Sequence, residues 1–118
     1  MQSLAALTTL RVGGPARSLR TATSANELVE AVTAMDGADE RLLLVAGGSN
    51  LLVADEGFDG TVVRVATSGI HGEQAEPGFV RVRIAAGEPW DAFVTSALEQ
   101  GWSGVEALSG IPGSTGAT

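Results

Sequence analysis

The stretch Arg41-Leu42-Leu43-Leu44-Val45-Ala46-Gly47-Gly48-Ser49-Asn50 joins a continuous apolar run to a glycine-rich loop. An apolar run of this length suits a β-strand that is buried on both faces, as in a parallel sheet. In open α/β sheets, ligands bind beyond the carboxyl ends of the strands. The sequence therefore predicts a ligand-facing loop over residues 46–50, at the end of a buried strand.

The residues before this strand predict a βαβ unit. Residues 8–12 and 16–22 favour extended structure, and Ser24 with Glu27 forms a capping box at the start of a helix. Apolar residues at helical spacing follow, namely Leu28, Val29, Val32 and Met35. Gly37 is expected in the left-handed position just after this helix. A strand, a helix and a second strand in this order indicate two parallel strands with a crossover helix.

The second half of the chain shows a different pattern. Residues 60–65 predict a further strand, whereas residues 66–78 are polar and rich in glycine, which predicts a connecting loop. Residues 79–84 alternate apolar and polar side chains, as in a strand with one face towards water. Pro89 suits the first turn of a helix that Gly101 ends, with an apolar stripe made of Trp90, Phe93, Val94, Ala97 and Leu98.

Composition excludes several classes of function. The net charge is −7, and no run of basic residues supplies the clustered positive charge that nucleic-acid binding needs. All seven basic residues are Arg, so the Lys of a P-loop is missing. There is no Cys and a single histidine, His71, so we expect no metal site and no Ser-His-Asp triad. The N-terminus lacks signal-peptide features and no apolar run could cross a membrane, which predicts a cytoplasmic domain.

The glycine loop over residues 46–50 is the first candidate site. Successive amides of a glycine loop can turn inward and form a nest for anionic oxygen, and the side chains of Ser49 and Asn50 can add donors. An ordinary tight turn with a helix cap explains the same residues. The spacing alone leaves both interpretations open.

The second candidate site is the segment over residues 110–117. Pro112 stiffens this segment, and the glycines at 110, 113 and 116 allow close approach of the backbone to a ligand. A flexible linker or disordered tail is the alternative, which composition alone favours. Residues 9–15 could form a third ligand-facing corner, although a structural turn is the favoured interpretation there.

Five segments, in this order, resemble a known family. They are TTLRVGGPA at 8–16, VAGGSNLLV at 45–53, GFDGTVV at 57–63, AGEPWD at 86–91 and LSGIPG at 108–113. The chain is similar to the N-terminal FAD-binding part of the UDP-N-acetylenolpyruvoylglucosamine reductase family, flavoenzymes of peptidoglycan precursor synthesis.

The resemblance implies an α+β, PCMH-type FAD-binding fold of the kind shared with vanillyl-alcohol oxidase-like flavoproteins. A small βαβ subdomain over residues 1–66 would precede the start of a second subdomain over residues 67–118, with a mixed or antiparallel sheet and helices. On this expectation the second subdomain is incomplete and the substrate-binding domain is absent.

The resemblance also implies the cofactor and its contacts. FAD would bind without a covalent link, because the glycine loop holds neither His nor Cys. Ala46 stands where many relatives have Gly, a mild departure when φ is negative. The residues expected to bind FAD are Ala46, Gly47, Gly48, Ser49, Asn50, Leu51, Gly110, Ile111, Pro112, Gly113, Ser114, Gly116 and Ala117.

In the family reaction, NADPH reduces FAD, and the reduced flavin then reduces the enolpyruvyl group of a UDP-sugar. The serine proton donor, and the arginine and glutamate that assist it, are expected beyond Thr118. We therefore predict no catalytic residue in this chain, no activity from it alone, and a monomeric parent enzyme. The alternatives are a stand-alone flavin- or nucleotide-binding module and a sister FAD-linked oxidase.

Overall fold

The computed structural model describes residues 3–118 and shows an α+β fold with two separate sheets. The regular elements are β1 (Ala16–Ala22), α1 (Ala25–Gly37), β2 (Leu42–Val45), β3 (Phe58–Val65), β4 (Ile70–Glu76), β5 (Phe79–Ile84) and α2 (Trp90–Glu99). Short 3-10 turns cover Leu4–Leu7, Glu106–Leu108 and Thr115–Ala117. Among these described residues, no helix is long and apolar enough to cross a membrane.

The first sheet is parallel, with the strand order β1-β3-β2. The expected parallel pair of strands around a helix is present, but β3 lies between β1 and β2. Val62 and Val63 in β3 are fully buried, one on each face, whereas Leu44 in β2 is 50% exposed. The prediction that the apolar run is buried on both faces is therefore wrong in part, because β2 is an edge strand.

Helix α1 confirms the capping box and corrects the position of the left-handed residue. The Glu27 amide donates to Ser24 Oγ at 3.1 Å, and the Glu27 carboxylate accepts from the Thr23 amide at 2.7 Å. That backbone hydrogen bond lowers the pKa of Glu27. The helix runs through Gly37, and Asp39 takes the left-handed conformation with φ 52°. The amides of Asp39 and Glu40 donate to carbonyls in the last turn of the helix, as in a Schellman motif.

Residues 8–12 are not a strand, contrary to their sequence pattern. The Thr9 amide donates to the Gly48 carbonyl at 3.1 Å and the Gly14 amide to the Ala54 carbonyl at 2.8 Å. Arg11 has φ 58°, which no β-strand residue adopts. The backbone here bonds to two loops rather than to a sheet ladder, and we call residues 8–14 the N-terminal corner.

Residues 70–76 form strand β4 instead of the predicted loop. β4 pairs with β5 in an antiparallel hairpin, and the connecting turn contains Pro77 and Gly78, the latter with φ 85°. Most β4 side chains are exposed and polar, so the strand shows no apolar alternation. The Pro-Gly pair was the available signal, because Pro followed by a residue with positive φ is typical of a type II turn. The predicted subdomain boundary at residue 66 stays a prediction; it falls between the two sheets.

Helix α2 confirms the predicted stripe, except at Leu98. Phe93, Val94 and Ala97 are buried, whereas Leu98 is exposed. Gly101, with φ 77°, follows the helix as expected.

Candidate functional site

The two predicted ligand loops meet face to face. A Cβ atom added to Gly47 would lie 3.2 Å from the Cα atom of Gly113, so the backbones are in direct contact there. The loops form one side of a cavity of about 480 Å³, within the range of small-molecule sites. Its lining residues are Thr9, Ala46, Gly47, Ser49, Arg64, Val65, Ala66, Thr67, Ser68, Gly87, Glu88, Pro89, Pro112, Gly113 and Ser114.

The glycine loop has amides without a backbone partner in the part of the chain that the structure describes, and two of its residues, Gly47 and Ser49, line this cavity. Within residues 3–118, no backbone carbonyl accepts a hydrogen bond from the amides of Gly47, Gly48 or Ser49. Gly48 has φ 72°, and its carbonyl accepts from the Thr9 amide. Unpaired amides on a turn with left-handed backbone are the basis of an anion-binding nest. The loop therefore has the hydrogen-bonding capacity to hold a phosphate group.

The segment over residues 110–117 is not a free tail, because its central part is bonded to the loop before α2. The Trp90 amide donates to the Gly113 carbonyl at 3.0 Å, and the Thr115 amide donates to the Glu88 carbonyl at 2.8 Å. A third bond runs from the Gly116 amide to the Ala86 carbonyl at 2.9 Å. These contacts hold the second wall of the cavity in a defined position.

Ser114 carries the clearest ligand signal in the cavity. The residue is only 4% exposed, and its Oγ has no hydrogen-bond partner in the described part of the chain. A buried hydroxyl without a partner is unfavourable by roughly 1–3 kcal/mol. Because Ser114 lines the cavity, a bound polar group could supply that partner.

The floor of the cavity comes from the carboxyl end of β3, which sequence reasoning did not single out. The residues concerned run from Arg64 to Ser68, and the buried Thr67 accepts a hydrogen bond from the Gly87 amide at 2.9 Å. The signal was available in principle, because parallel strands end at the same edge of a sheet. The missing information was the register, which pairs Val45 with Arg64.

Several predicted site residues lie away from this cavity. Leu51 packs against the core, Asn50 is exposed, and Gly116 contacts Ala86. The others outside the lining are Gly48, Gly110, Ile111 and Ala117. Their predicted contacts with a cofactor stay predictions.

Asp91, in the first turn of α2, holds the start of the second loop. Its carboxylate accepts hydrogen bonds from the Gly110 amide and the Ser109 hydroxyl, both at 2.9 Å. The Gly110 hydrogen bond, and after it the Ser109 bond, lowers the pKa of Asp91 below its ordinary value of 3.8. The ionised carboxylate is therefore the form that stabilises this loop.

We predict that Asp91→Asn reduces stability near neutral pH and that the difference from wild type disappears in acid. A lowered folded-state pKa contributes stability above the unfolded value of 3.8, and this is lost as pH falls through the folded value. Urea unfolding at several pH values checks the prediction. Asp36→Asn on α1 serves as the control, and a wild-type advantage that persists unchanged in strong acid would contradict the prediction.

A second cavity of about 400 Å³ continues from the first. The two share Thr9, Ala46, Gly47 and Arg64 in their walls, and Ala6, Leu7, Thr8 and Arg11 complete the second. Of the residues that the structure describes, two arginines and no Asp or Glu line this second cavity. The two cavities thus form one cleft that runs between the glycine loop, the second loop and the N-terminal corner.

Comparison with known proteins shows what this chain is similar to. Residues 16–118 match the FAD binding domain family. UDP-N-acetylenolpyruvoylglucosamine reductase from Saccharopolyspora erythraea is 54% identical over 116 residues, which are 98% of this chain and 32% of the relative. The enzyme of that name from Cutibacterium acnes is 56% identical over 115 residues, covering 98% of this chain and 31% of the relative.

Solved structures give the same relationship. The crystal structure of the reductase from Thermus caldophilus superposes with a TM-score of 0.71 at 33% sequence identity, covering 98% of this chain and 38% of that one. The chain thus spans about a third of the length of the curated relatives it matches. The family match covers most of the chain, so this chain belongs to the FAD binding domain family, and it is similar to part of the UDP-N-acetylenolpyruvoylglucosamine reductases.

Proposed function

We propose that this chain is the FAD-binding part of a UDP-N-acetylenolpyruvoylglucosamine reductase and that the cleft between its two glycine loops holds the cofactor. One observation carries the proposal: Ser114 belongs to the lining of the cavity, and its buried hydroxyl has no hydrogen-bond partner within residues 3–118. The family match supports the same cofactor.

The residues present fit an anionic dinucleotide. The amides of Gly47 and Ser49 would donate to phosphate oxygens, and Ser114 would donate or accept one further hydrogen bond. Where the loops meet, a Cβ atom at Gly47 would lie 3.2 Å from Gly113 Cα and one at Gly113 would lie 3.0 Å from Ser49 Oγ, so side chains there would fit only tightly. FAD, when bound, supplies the hydride-transfer chemistry, while the protein binds and orients it.

The complete reaction is part of the proposal. NADPH would be the hydride donor and an enolpyruvyl UDP-sugar the acceptor, in peptidoglycan precursor synthesis in the cytoplasm. This chain spans about a third of the relatives, and we assign it cofactor binding but no proton transfer. The catalytic serine, arginine and glutamate of the family would lie in the remaining part of the enzyme.

A binding measurement tests the cofactor assignment. Titration of the chain with FAD, followed by flavin fluorescence, should give saturable binding, and FAD should raise the unfolding temperature by mass action. We predict that Ser114→Ala weakens FAD binding roughly 10-fold, because a hydrogen bond is lost, without lowering the stability of the cofactor-free protein.

Ser103→Ala is the matched control, because Ser103 is exposed and lies outside the cleft. Equal FAD affinity in wild type and Ser114→Ala would contradict the role of Ser114. A chimera provides a second measurement. In it, the present chain replaces the matching segment of the Saccharopolyspora erythraea reductase, and the same two serine variants are compared. NADPH-dependent turnover by the 118-residue chain alone would contradict the assignment of catalysis to the rest of the enzyme.

A further inference from the structure

We infer that Arg11 and Arg64 form an anion subsite that binds the diphosphate group of the bound dinucleotide, opposite the glycine loop. The inference rests on the proposed function and deepens it, because it adds two side chains to the backbone amides that would bind the negatively charged diphosphate. It also assigns a role to the N-terminal corner, for which the sequence favoured a structural turn.

Positive charge is concentrated in the second cavity. The chain carries a net charge of −7, yet two arginines and, within residues 3–118, no acidic residue line this cavity. Among the described residues, neither Arg11 nor Arg64 forms an ion pair. Arg17, by contrast, bonds to the carboxylates of Glu40 and Asp59. Two uncompensated guanidinium groups in one concave site favour an anion.

Arg64 lies beside the end of β2 and the glycine loop. It lies near the carboxyl end of the central strand β3 and pairs in register with Val45, the last residue of β2. Val45 and Val62 belong to one buried cluster, so alternation along β3 places Arg64 on the same face, towards the glycine loop. Arg64 lines both cavities, which puts it where the two meet.

Arg11 has an unusual backbone conformation. This residue has φ 58°, a conformation that is uncommon outside glycine, asparagine and aspartate. The Arg11 amide donates to Thr8 Oγ1 at 3.0 Å, and Thr8 is itself buried. The hydrogen bond to Thr8 therefore stabilises the strained backbone of the N-terminal corner, and Arg11 lies in the lining of the second cavity.

A diphosphate fits this arrangement better than a carboxylate or a neutral group. Guanidinium groups bind phosphate oxygens with paired, charge-assisted hydrogen bonds. Gly47, whose amide bonds to no backbone carbonyl within residues 3–118, lines both cavities. The negatively charged diphosphate would thus be bound by arginine side chains on one side and by backbone amides on the other.

The test compares ligands that differ in phosphate content. We expect Arg11→Gln and Arg64→Gln each to weaken FAD binding roughly 10-fold, with riboflavin affinity unchanged, because riboflavin carries no phosphate. Inorganic pyrophosphate should raise the unfolding temperature of the wild type but not of the double variant. Arg20→Gln is the matched control, because Arg20 is exposed on β1 and lines neither cavity of the cleft.

The other outcomes are equally informative. Unchanged FAD affinity in both variants overturns the inference, and so does an equal loss for FAD and riboflavin, which indicates a structural role. Arg-dependent stabilisation by UDP, with FAD binding unaffected, overturns the assignment to the dinucleotide in favour of a nucleotide substrate. If wild type and chimera bind no FAD but pyrophosphate still stabilises through the arginines, the proposed function fails and the anion subsite stands.

Discussion

Replacing Gly48 by alanine is expected to lower the free energy of unfolding by roughly 3 kcal/mol, from left-handed strain and steric overlap together. Gly48 has φ 72°, and a Cβ atom there would lie 2.0 Å from the Leu7 carbonyl oxygen. That oxygen belongs to backbone, so the clash cannot be relieved by a side-chain rotation. Since Gly48 also bonds Thr9, the variant should displace the N-terminal corner from the glycine loop.

Gly110→Ala is the control for this experiment. Gly110 also has a positive φ, 88°, but within residues 3–118 no atom beyond its chain neighbours lies within 4 Å of the position its Cβ would take. Its substitution should cost only about 1 kcal/mol, the effect of the left-handed backbone alone. Urea unfolding followed by the fluorescence of Trp90 and Trp102 measures both variants. Equal losses at the two positions would contradict the steric explanation. We further expect Gly48→Ala, but not Gly110→Ala, to abolish FAD binding by the chain.

Leu4→Ala is expected to destabilise the chain by about 3–5 kcal/mol, as found for fully buried leucines. Leu4 has 0% exposure and packs with Ala16, Val45, Val53 and Val62 on the face of the first sheet that α1 does not cover. Its amide donates to the Gly14 carbonyl at 2.8 Å, which closes the N-terminal corner. A cavity at this position therefore weakens the sheet and the corner together.

Leu52→Ala provides the comparison for Leu4→Ala. Leu52 is 71% exposed, so its truncation should change stability by no more than about 0.5 kcal/mol. Both variants are measured by chemical denaturation, with circular dichroism as the signal. A loss for Leu4→Ala no larger than that for Leu52→Ala would show that the segment before β1 contributes little to the core.

Most elements of the fold were predictable because their signals are local. Ser24 and Glu27 mark the start of α1 through hydrogen bonds that span only a few residues. The alternation along residues 79–84 likewise predicts β5, because the side chains of a strand alternate between its faces. The predictions failed for residues 8–12 and 70–76, where the backbone partners are distant in sequence or the strand is almost wholly exposed.

For the site, the amino-acid sequence by itself determined which backbone segments could approach a ligand, because glycine permits conformations and contacts that other residues do not. Only the tertiary structure decided that Gly47 meets Gly113, that Ser114 is buried without a partner, and that Arg11 and Arg64 share one cavity. These facts depend on the β2–β3 register and on bonds between distant loops. No local periodicity carries that information, since each contact is set by packing across the whole chain.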